Sequence, residues 1–265
     1  MRRIHLFELE DLDWVPRPVR DGGTDLLDLG FDRIGFYDGV APKLLALLEA
    51  TRATRVVDLC SGGGGGTLQM RKALRAAGSE VESVLSDRHP SEAGIARLAQ
   101  LGDPRTRYRS ESVDAMAGGG ELEGVRTMSG ALHHFPPDAV RALLGGICAR
   151  REPLAFFDVA ASPAIRRAPL GLAPIGMIVN MLMLFVGSLF LVPLVRPFRL
   201  SRLILTYVLP LIPALVAWDG TVSALRAYTP GELLELARSV PGGDRYAWDA
   251  GTSGSALYLT GRPAA

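Results

Sequence analysis

The residues best suited to chemistry begin at Val56-Val57-Asp58-Leu59-Cys60-Ser61, which runs into five glycines, Gly62 to Gly66. Glycine lets a backbone approach a ligand closely and adopt positive φ. A helix opening after such a run presents unpaired N–H groups to a ligand. A flexible linker is the plain alternative, but an apolar strand abuts the run on one side and a helical pattern on the other. A dinucleotide loop would read G-x-G-x-x-G directly after the strand. Here the spacing is D-x-C-x-G-x-G, and a carboxylate at Asp58 suits a ligand carrying an ammonium group and would repel a pyrophosphate. Further along, His133 and His134 stand side by side, and imidazoles titrate near neutrality. Adjacent side chains at a strand end diverge, so one histidine can serve as a base while the other bonds structurally; packing alone is the alternative for both. Asp158 falls at the end of an apolar run, and Asp219 follows Trp218 where a second apolar run stops. No third histidine or carboxylate stands at metal-ligand spacing, so no metal site is expected.

Elements that could position these residues alternate along the chain. Val40–Ala53 has leucines at helical spacing. Arg55–Leu59 reads as a buried strand, Thr67–Ala77 as a helix, Val81–Ser86 as a strand and Ser91–Gln100 as a helix. Arg107–Ser112 and Gly124–Ala131 read as the third and fourth strands, Pro137–Arg150 as a helix and Leu154–Val159 as the fifth strand. Near the end, Thr229–Ser239 is helical, and Arg245–Asp249 and Ala256–Thr260, with no helix between them, suggest an antiparallel strand pair at one edge of the sheet. Repeated β-α units imply α/β architecture. The expectation is a Rossmann-like, mostly parallel seven-stranded sheet with helices on both faces. An α-helical hydrophobic insertion would lie between the fifth and sixth strands.

The motifs, taken in order, resemble the class I S-adenosylmethionine-dependent methyltransferases. Asp58-Leu59-Cys60-Ser61-Gly62-Gly63-Gly64 is similar to their first motif, with Cys60 in place of the first glycine. The resemblance covers residues 40–160 well and 225–262 more loosely, where Tyr228-Thr229-Pro230-Gly231-Glu232-Leu233 is similar to the start of a late family helix. It implies that the cofactor is S-adenosyl-L-methionine, leaving as S-adenosyl-L-homocysteine. It also implies that Asp58, Cys60, Ser61, Gly62 and Gly64 shape the cofactor loop. Asp87, after the second strand, would accept the ribose hydroxyls beside Arg88. Ser112, Asp114 and Ala115 would meet the adenine, although a helix N-cap is the plain reading of Asp114. Gly130 and Leu132 would flank the cofactor beside the transferred methyl. His133, His134, Asp158 and Asp219 are the catalytic or substrate-contacting candidates. Phe7, Trp14 and Phe135 could shield a sulfonium by cation–π contact or simply pack in the core.

Composition fits such an enzyme with one anomaly. The chain has 265 residues, 48% hydrophobic and 22% charged, with a net charge of +1. No basic field suggests nucleic acid. Two distant cysteines argue against a disulfide framework. The acidic N-terminal stretch Glu8, Glu10, Asp11, Asp13 has no apolar signal segment after it, so export is not expected. Lysine occurs only at Lys43 and Lys72, an arginine bias that suits a GC-rich bacterial genome. The anomaly is a mean hydropathy of +0.20. Ala168 to Val195 carries no charge; Arg196, Arg199 and Arg202 follow; Leu203 to Trp218 is again uncharged. The first stretch exceeds the roughly 20 residues that cross a bilayer. Because strands of one sheet precede and follow the block, only an even number of crossings is allowed. A two-span hairpin would put the arginines on the wrong side. Prolines 169, 174, 193, 197, 210 and 213 should also cut the block into short helices.

The domain reading is therefore an N-terminal arm or lid at 1–39, a cofactor-binding domain at 40–162 and 219–265, and a hydrophobic insertion at 163–218. The insertion would contact membrane lipid through 168–218, with all three arginines near headgroups, at the cytoplasmic side of the inner membrane. A substrate cap or homodimer face is the alternative. The chain reads as a methyltransferase of a hydrophobic small molecule such as a lipid, quinone or polyketide-like product. Two other readings stay open: a cofactor-dependent rearrangement without methyl transfer, and a membrane-anchored interaction module with a vestigial site.

Overall fold

The computed structural model describes residues 3–117, 122–161 and 173–264. The labelled elements, in chain order, are α1 (Arg17–Arg33), α2 (Ala41–Thr51), β1 (Arg55–Leu59), α3 (Gly65–Ala76), β2 (Glu82–Leu85), α4 (Glu92–Leu101), β3 (Thr106–Tyr108), β4 (Val125–Ser129), α5 (Pro137–Ala149) and β5 (Leu154–Val159). They continue with α6 (Ala173–Leu191), α7 (Leu211–Arg226), α8 (Pro230–Ser239), β6 (Tyr246–Ser253) and β7 (Ala256–Pro263). The chain divides into two compact units. The described residues of one fall within 1–35 and 161–227, those of the other within 36–160 and 228–265.

The second unit is the α/β sheet domain. Its strands lie in the order β3-β2-β1-β4-β5-β7-β6. The pairings from β3 through β5 are parallel, and β7 runs antiparallel to both β5 and β6. The sheet is thus mixed rather than mostly parallel, because β6 and β7 form a hairpin with no helix to carry the chain back. Strand order reverses between β1 and β4, and ligands of such sheets bind at the carboxyl ends beside that point. The core is built from continuous apolar strands such as LAFFDV in β5 and from α5, whose Val140, Leu143, Leu144 and Ile147 are fully buried. α8 begins with a capping box in which Thr229 and Glu232 each bond the other's backbone, the signal that the T-P-x-E spacing gives in sequence.

The first unit joins the N-terminal segment to the insertion, so the separate arm expected at 1–39 is not an independent piece. α7 lies between α1 and α6. A Cβ on Gly22 or Gly23 of α1 would collide with Ile212 or Leu215 of α7, and one on Gly220 of α7 with Leu184 of α6. α7 runs unbroken past Asp219 to Arg226, because most of its side chains, from Ile212 to Arg226, are buried within the unit. The sheet domain accordingly resumes at Tyr228, not at Asp219. The prolines cut the apolar block less than expected. Pro174 and Pro213 fall in the first turns of α6 and α7, where a missing N–H breaks no helical bond. Real interruptions occur at Pro193, Pro197 and Pro210; Pro169 lies outside the described residues. Pro174–Leu194 is long and apolar enough to cross a bilayer and only 11% buried.

Candidate active site

The site is built at the carboxyl ends of β1, β2, β4 and β5. β1 delivers Asp58 beneath the glycine turn, and the turn closes with Gly64 N–H donating to Ser61 O at 2.7 Å. Gly64 has φ +82, and a Cβ there would meet Leu85 at 2.8 Å, so only glycine fits. Gly62, at φ +48, has nothing within 4 Å of where a Cβ would stand: it faces open space. Cys60 also takes a left-handed φ of 55, at the position where the family motif has glycine. Burial pushes its thiol up to about 12, helped by the charges of Asp87, Asp58 and Asp114. It therefore stays a neutral thiol and is no nucleophile.

Asp58 differs from expectation. It is 1% exposed. Its Oδ2 accepts from the Ser61 and Thr67 hydroxyls at 2.7 and 2.6 Å, and its Oδ1 from Thr127 at 2.8 Å. Burial raises its pKa, and the Thr67, Ser61 and Thr127 hydroxyls pull it back. This carboxylate ties the glycine turn, the start of α3 and β4 together rather than reaching out to a ligand's ammonium. Sequence reading missed Thr67 and Thr127. The available signal was a polar residue in the middle of an apolar strand, with Thr127 registered opposite Asp58.

Asp87 stands where the motif order put it. Its oxygens accept Gly62 N–H at 2.9 Å and His89 N–H at 2.8 Å. A carboxylate offers about four acceptor positions, so capacity remains for two hydroxyls. Arg88 is exposed, and its carbonyl accepts from the Ser112 hydroxyl at 2.6 Å, linking the two loops. Asp114 is exposed and caps Met116 N–H at 2.9 Å, the plain role weighed for it. Ala115 and Leu132 are buried in the hydrophobic core, so their side chains pack rather than line a cleft. Gly130, at φ +73, turns the chain out of β4. Two residues escaped sequence reading here. The Tyr108 hydroxyl donates to Gly62 O at 2.8 Å. Buried Tyr37 lies against the start of α3 and the end of β4: a Cβ on Gly66 or Gly130 would come 3.1 or 3.4 Å from its hydroxyl.

The two histidines do not diverge as expected: they lie on a 3-10 turn, Leu132–His134, rather than on a strand, and their rings stay close together. His133 is buried, and Asp158 grips it twice: its backbone N–H donates to Oδ2 at 2.6 Å, and its Nδ1 meets Oδ1 at 2.7 Å. A carboxylate accepts, so in this contact Nδ1 of His133 is the donor. His134 is half-buried with its ring 4.3 Å from that of His133. Phe135 packs on the core, and its carbonyl accepts from the Tyr228 hydroxyl at 2.7 Å. Asp219 belongs to the helical unit. Its carboxylate accepts Leu9 N–H at 2.6 Å and Glu10 N–H at 3.1 Å, a structural tie in place of the expected catalytic contact. Burial pushes it up to about 6, against the pull of those two N–H groups. Phe7 tilts against Trp218 in the same unit, and Trp14 is exposed.

No protein-family model and no curated protein matches the sequence. Solved structures do match. The plantazolicin methyltransferase BpumL, in complex with SAH, aligns with a TM-score of 0.57 and 11% identity over 95% of this chain and 93% of that one. An O-methyltransferase from neocarzinostatin biosynthesis, in complex with SAH and a dihydroxynaphthoic acid, aligns at 0.53 with 16% identity, over 94% of this chain and 59% of that one. An O-methyltransferase family protein from Burkholderia thailandensis aligns at 0.50 with 13% identity over 90% of this chain. The chain spans 59% of the length of that protein. The fold is that of the class I S-adenosylmethionine-dependent methyltransferases.

Proposed function

We propose that the protein is an S-adenosylmethionine-dependent methyltransferase of a hydrophobic small molecule, working at the cytoplasmic face of a bacterial membrane. The observation that carries the reading is the Asp158–His133 clamp, set where β4 and β5 end beside the glycine turn. The residues present fit the cofactor. Gly62 opens onto free space, α3 begins with unpaired N–H groups, and Asp87 keeps spare acceptor positions. When bound, S-adenosylmethionine supplies a methyl group on a positively charged sulfur. The protein's own part is to orient the acceptor and manage its proton. In this reading the imidazole of His133 would take the proton of an acceptor hydroxyl, while the methyl carbon would exchange its bond to sulfur for one to that oxygen and S-adenosylhomocysteine would leave as the neutral thioether. Asp158 holds the imidazole in the right tautomer and stabilises the imidazolium that results. Asp58 shapes the loop from beneath. The apolar surface of the helical unit supports a hydrophobic acceptor, such as a lipid, quinone or polyketide-like product.

Calorimetry tests the cofactor half: S-adenosylmethionine should bind the wild type, and Asp87→Ala should weaken it at least about ten-fold. His133→Ala should leave that affinity unchanged and lower the rate of labelled-methyl transfer by about 10²–10⁴. Failure of both S-adenosylmethionine and S-adenosylhomocysteine to bind would reject the reading. A product without the labelled methyl would favour a rearrangement instead.

A further inference from the structure

α6 carries its amphipathic character inside out. Ile175, Ile178, Leu182, Met183, Val186 and Phe190 fall on one helical face and are all exposed. The polar residues turn inward. The Asn180 amide donates to Thr221 Oγ1 of α7 at 2.9 Å, and the buried Ser188 hydroxyl folds back onto Leu184 O at 2.6 Å. A helix facing water does the opposite. The apolar surface continues through Leu194, Phe198 and Leu200 to Val208 and Leu209, all exposed. Arg196 and Arg199 stand exposed within that continuation, Arg199 loosely paired with Asp25 at 3.8 Å. From 173 to 210 there is no Asp or Glu. Arg202, expected at the headgroups with them, is instead buried and paired with Asp25.

The rest of the unit decides how such a surface can meet lipid. α1 presents Arg17, Asp21, Asp32 and Arg33 to solvent, and α7, between α1 and α6, holds the charges of Asp219 and Arg226. Carrying α1 and α7 through hydrocarbon with α6 would desolvate all of them. A second copy fits the face poorly. A two-fold contact that paired the helices in parallel would bring the arginines of both chains to one rim, and an antiparallel one would lay them along the partner's face, with no carboxylate in the segment to pair them either way.

We propose that the helical unit seats α6 within one leaflet of an anionic bilayer, along the interface rather than across it, with Arg196 and Arg199 at the headgroup phosphates. This rests on the membrane-association part of the proposed function and not on its chemistry. The test is co-sedimentation of the full chain with phosphatidylcholine vesicles, with and without phosphatidylglycerol. Phosphatidylglycerol should tighten binding about ten- to thirty-fold, and salt should erode the gain. Arg196→Ala with Arg199→Ala should remove that preference. Leu182→Glu with Val186→Glu should abolish binding to both vesicles while leaving calorimetric S-adenosylmethionine affinity unchanged. A fluorophore at Met183→Cys should be quenched more by lipids labelled near the headgroup than by lipids labelled at the acyl terminus. The native thiols react poorly, Cys148 being buried and Cys60 held neutral. Strongest quenching at the acyl terminus would overturn the in-plane geometry. No vesicle binding, or a lipid-free dimer that the Leu182/Val186 variant converts to monomer, would overturn the proposal. Vesicle binding without S-adenosylmethionine affinity would instead reject the enzyme reading and leave the docking intact.

Discussion

The two units of this chain solve the burial problem in opposite ways. In the sheet domain, α5 turns Leu143 and Ile147 inward, both fully buried, and leaves Arg141 and Arg150 outside. In the helical unit, α6 turns Ile178, Leu182 and Phe190 outward, and charges go inside. Glu8 is fully buried, with Arg226 at 3.1 Å and the Ser223 hydroxyl at 3.0 Å. Arg226 also donates to Leu6 O at 2.7 Å and faces Asp11 at 3.4 Å. Arg3 and Asp219 add further ties between the N-terminal segment and α7. Apolar contacts alone would hold such a unit weakly if its greasiest face is turned away. The polar ties hold the N-terminal segment in place, whereas the sheet domain adds ties such as Arg71 with Asp103 to a large apolar core. Two further buried polar sets of the sheet domain stand at strand ends: Asp58 under the glycine turn, and the His133–Asp158 pair. The lesson is that buried charge ties distant segments together in both units, and what the two units place differently is their apolar surface.

Arg226→Met breaks the contrast most severely. It removes the guanidinium that faces buried Glu8 and should cost about 3–5 kcal/mol in urea unfolding. Adding Glu8→Gln should recover a large part of that loss; no recovery would show that Arg226 acts by packing. A leucine pair sharpens the contrast. Leu143→Ala in α5 should cost about 2–5 kcal/mol, whereas Leu182→Ala in α6 should change stability by less than about 0.5 kcal/mol in lipid-free buffer. Equal losses would mean that the α6 face is covered in solution. The smallest effect is a pH slope. Asp219 is pushed up to about 6 from an ordinary 3.8, so between those values the folded chain holds more protons than the unfolded one. Its contribution is complete below about pH 4 and lost as pH rises to about 6, a fall of no more than about 3 kcal/mol. Wild type compared with Asp219→Asn across that window should isolate the slope; parallel curves would reject it.

Much of the sheet domain was readable because its signals are local. Strand hydrophobicity, the glycine run and the Thr229–Glu232 capping box each lie within a few residues, and most of their elements formed within a residue or two of expectation, although β6 and β7 run on to Ser253 and Pro263, past the expected Asp249 and Thr260. The third strand was overextended: β3 stops at Tyr108, where the expected strand ran to Ser112. Asp87, Gly62 and Gly64 fall just beyond the strands expected to precede them, since a strand end followed by glycine or an acid needs no distant partner to be recognised. Asp58, Arg202 and Asp219 were misread because their roles depend on partners far along the chain. Thr127 lies 69 residues from Asp58, Asp25 lies 177 from Arg202, and Leu9 lies 210 from Asp219.

The sequence by itself determined the alternation of strands and helices, the cofactor-type loop and the location of the apolar surplus, since periodicity and turn chemistry act over a few residues. Only the tertiary structure decided which histidine Asp158 grips, that Asp58 faces inward, that the N-terminal segment and the insertion form one unit, and that α6 points Ile178, Leu182 and Phe190 outward. Those are questions of which surfaces meet, and burial is settled by packing between segments that the chain order keeps apart.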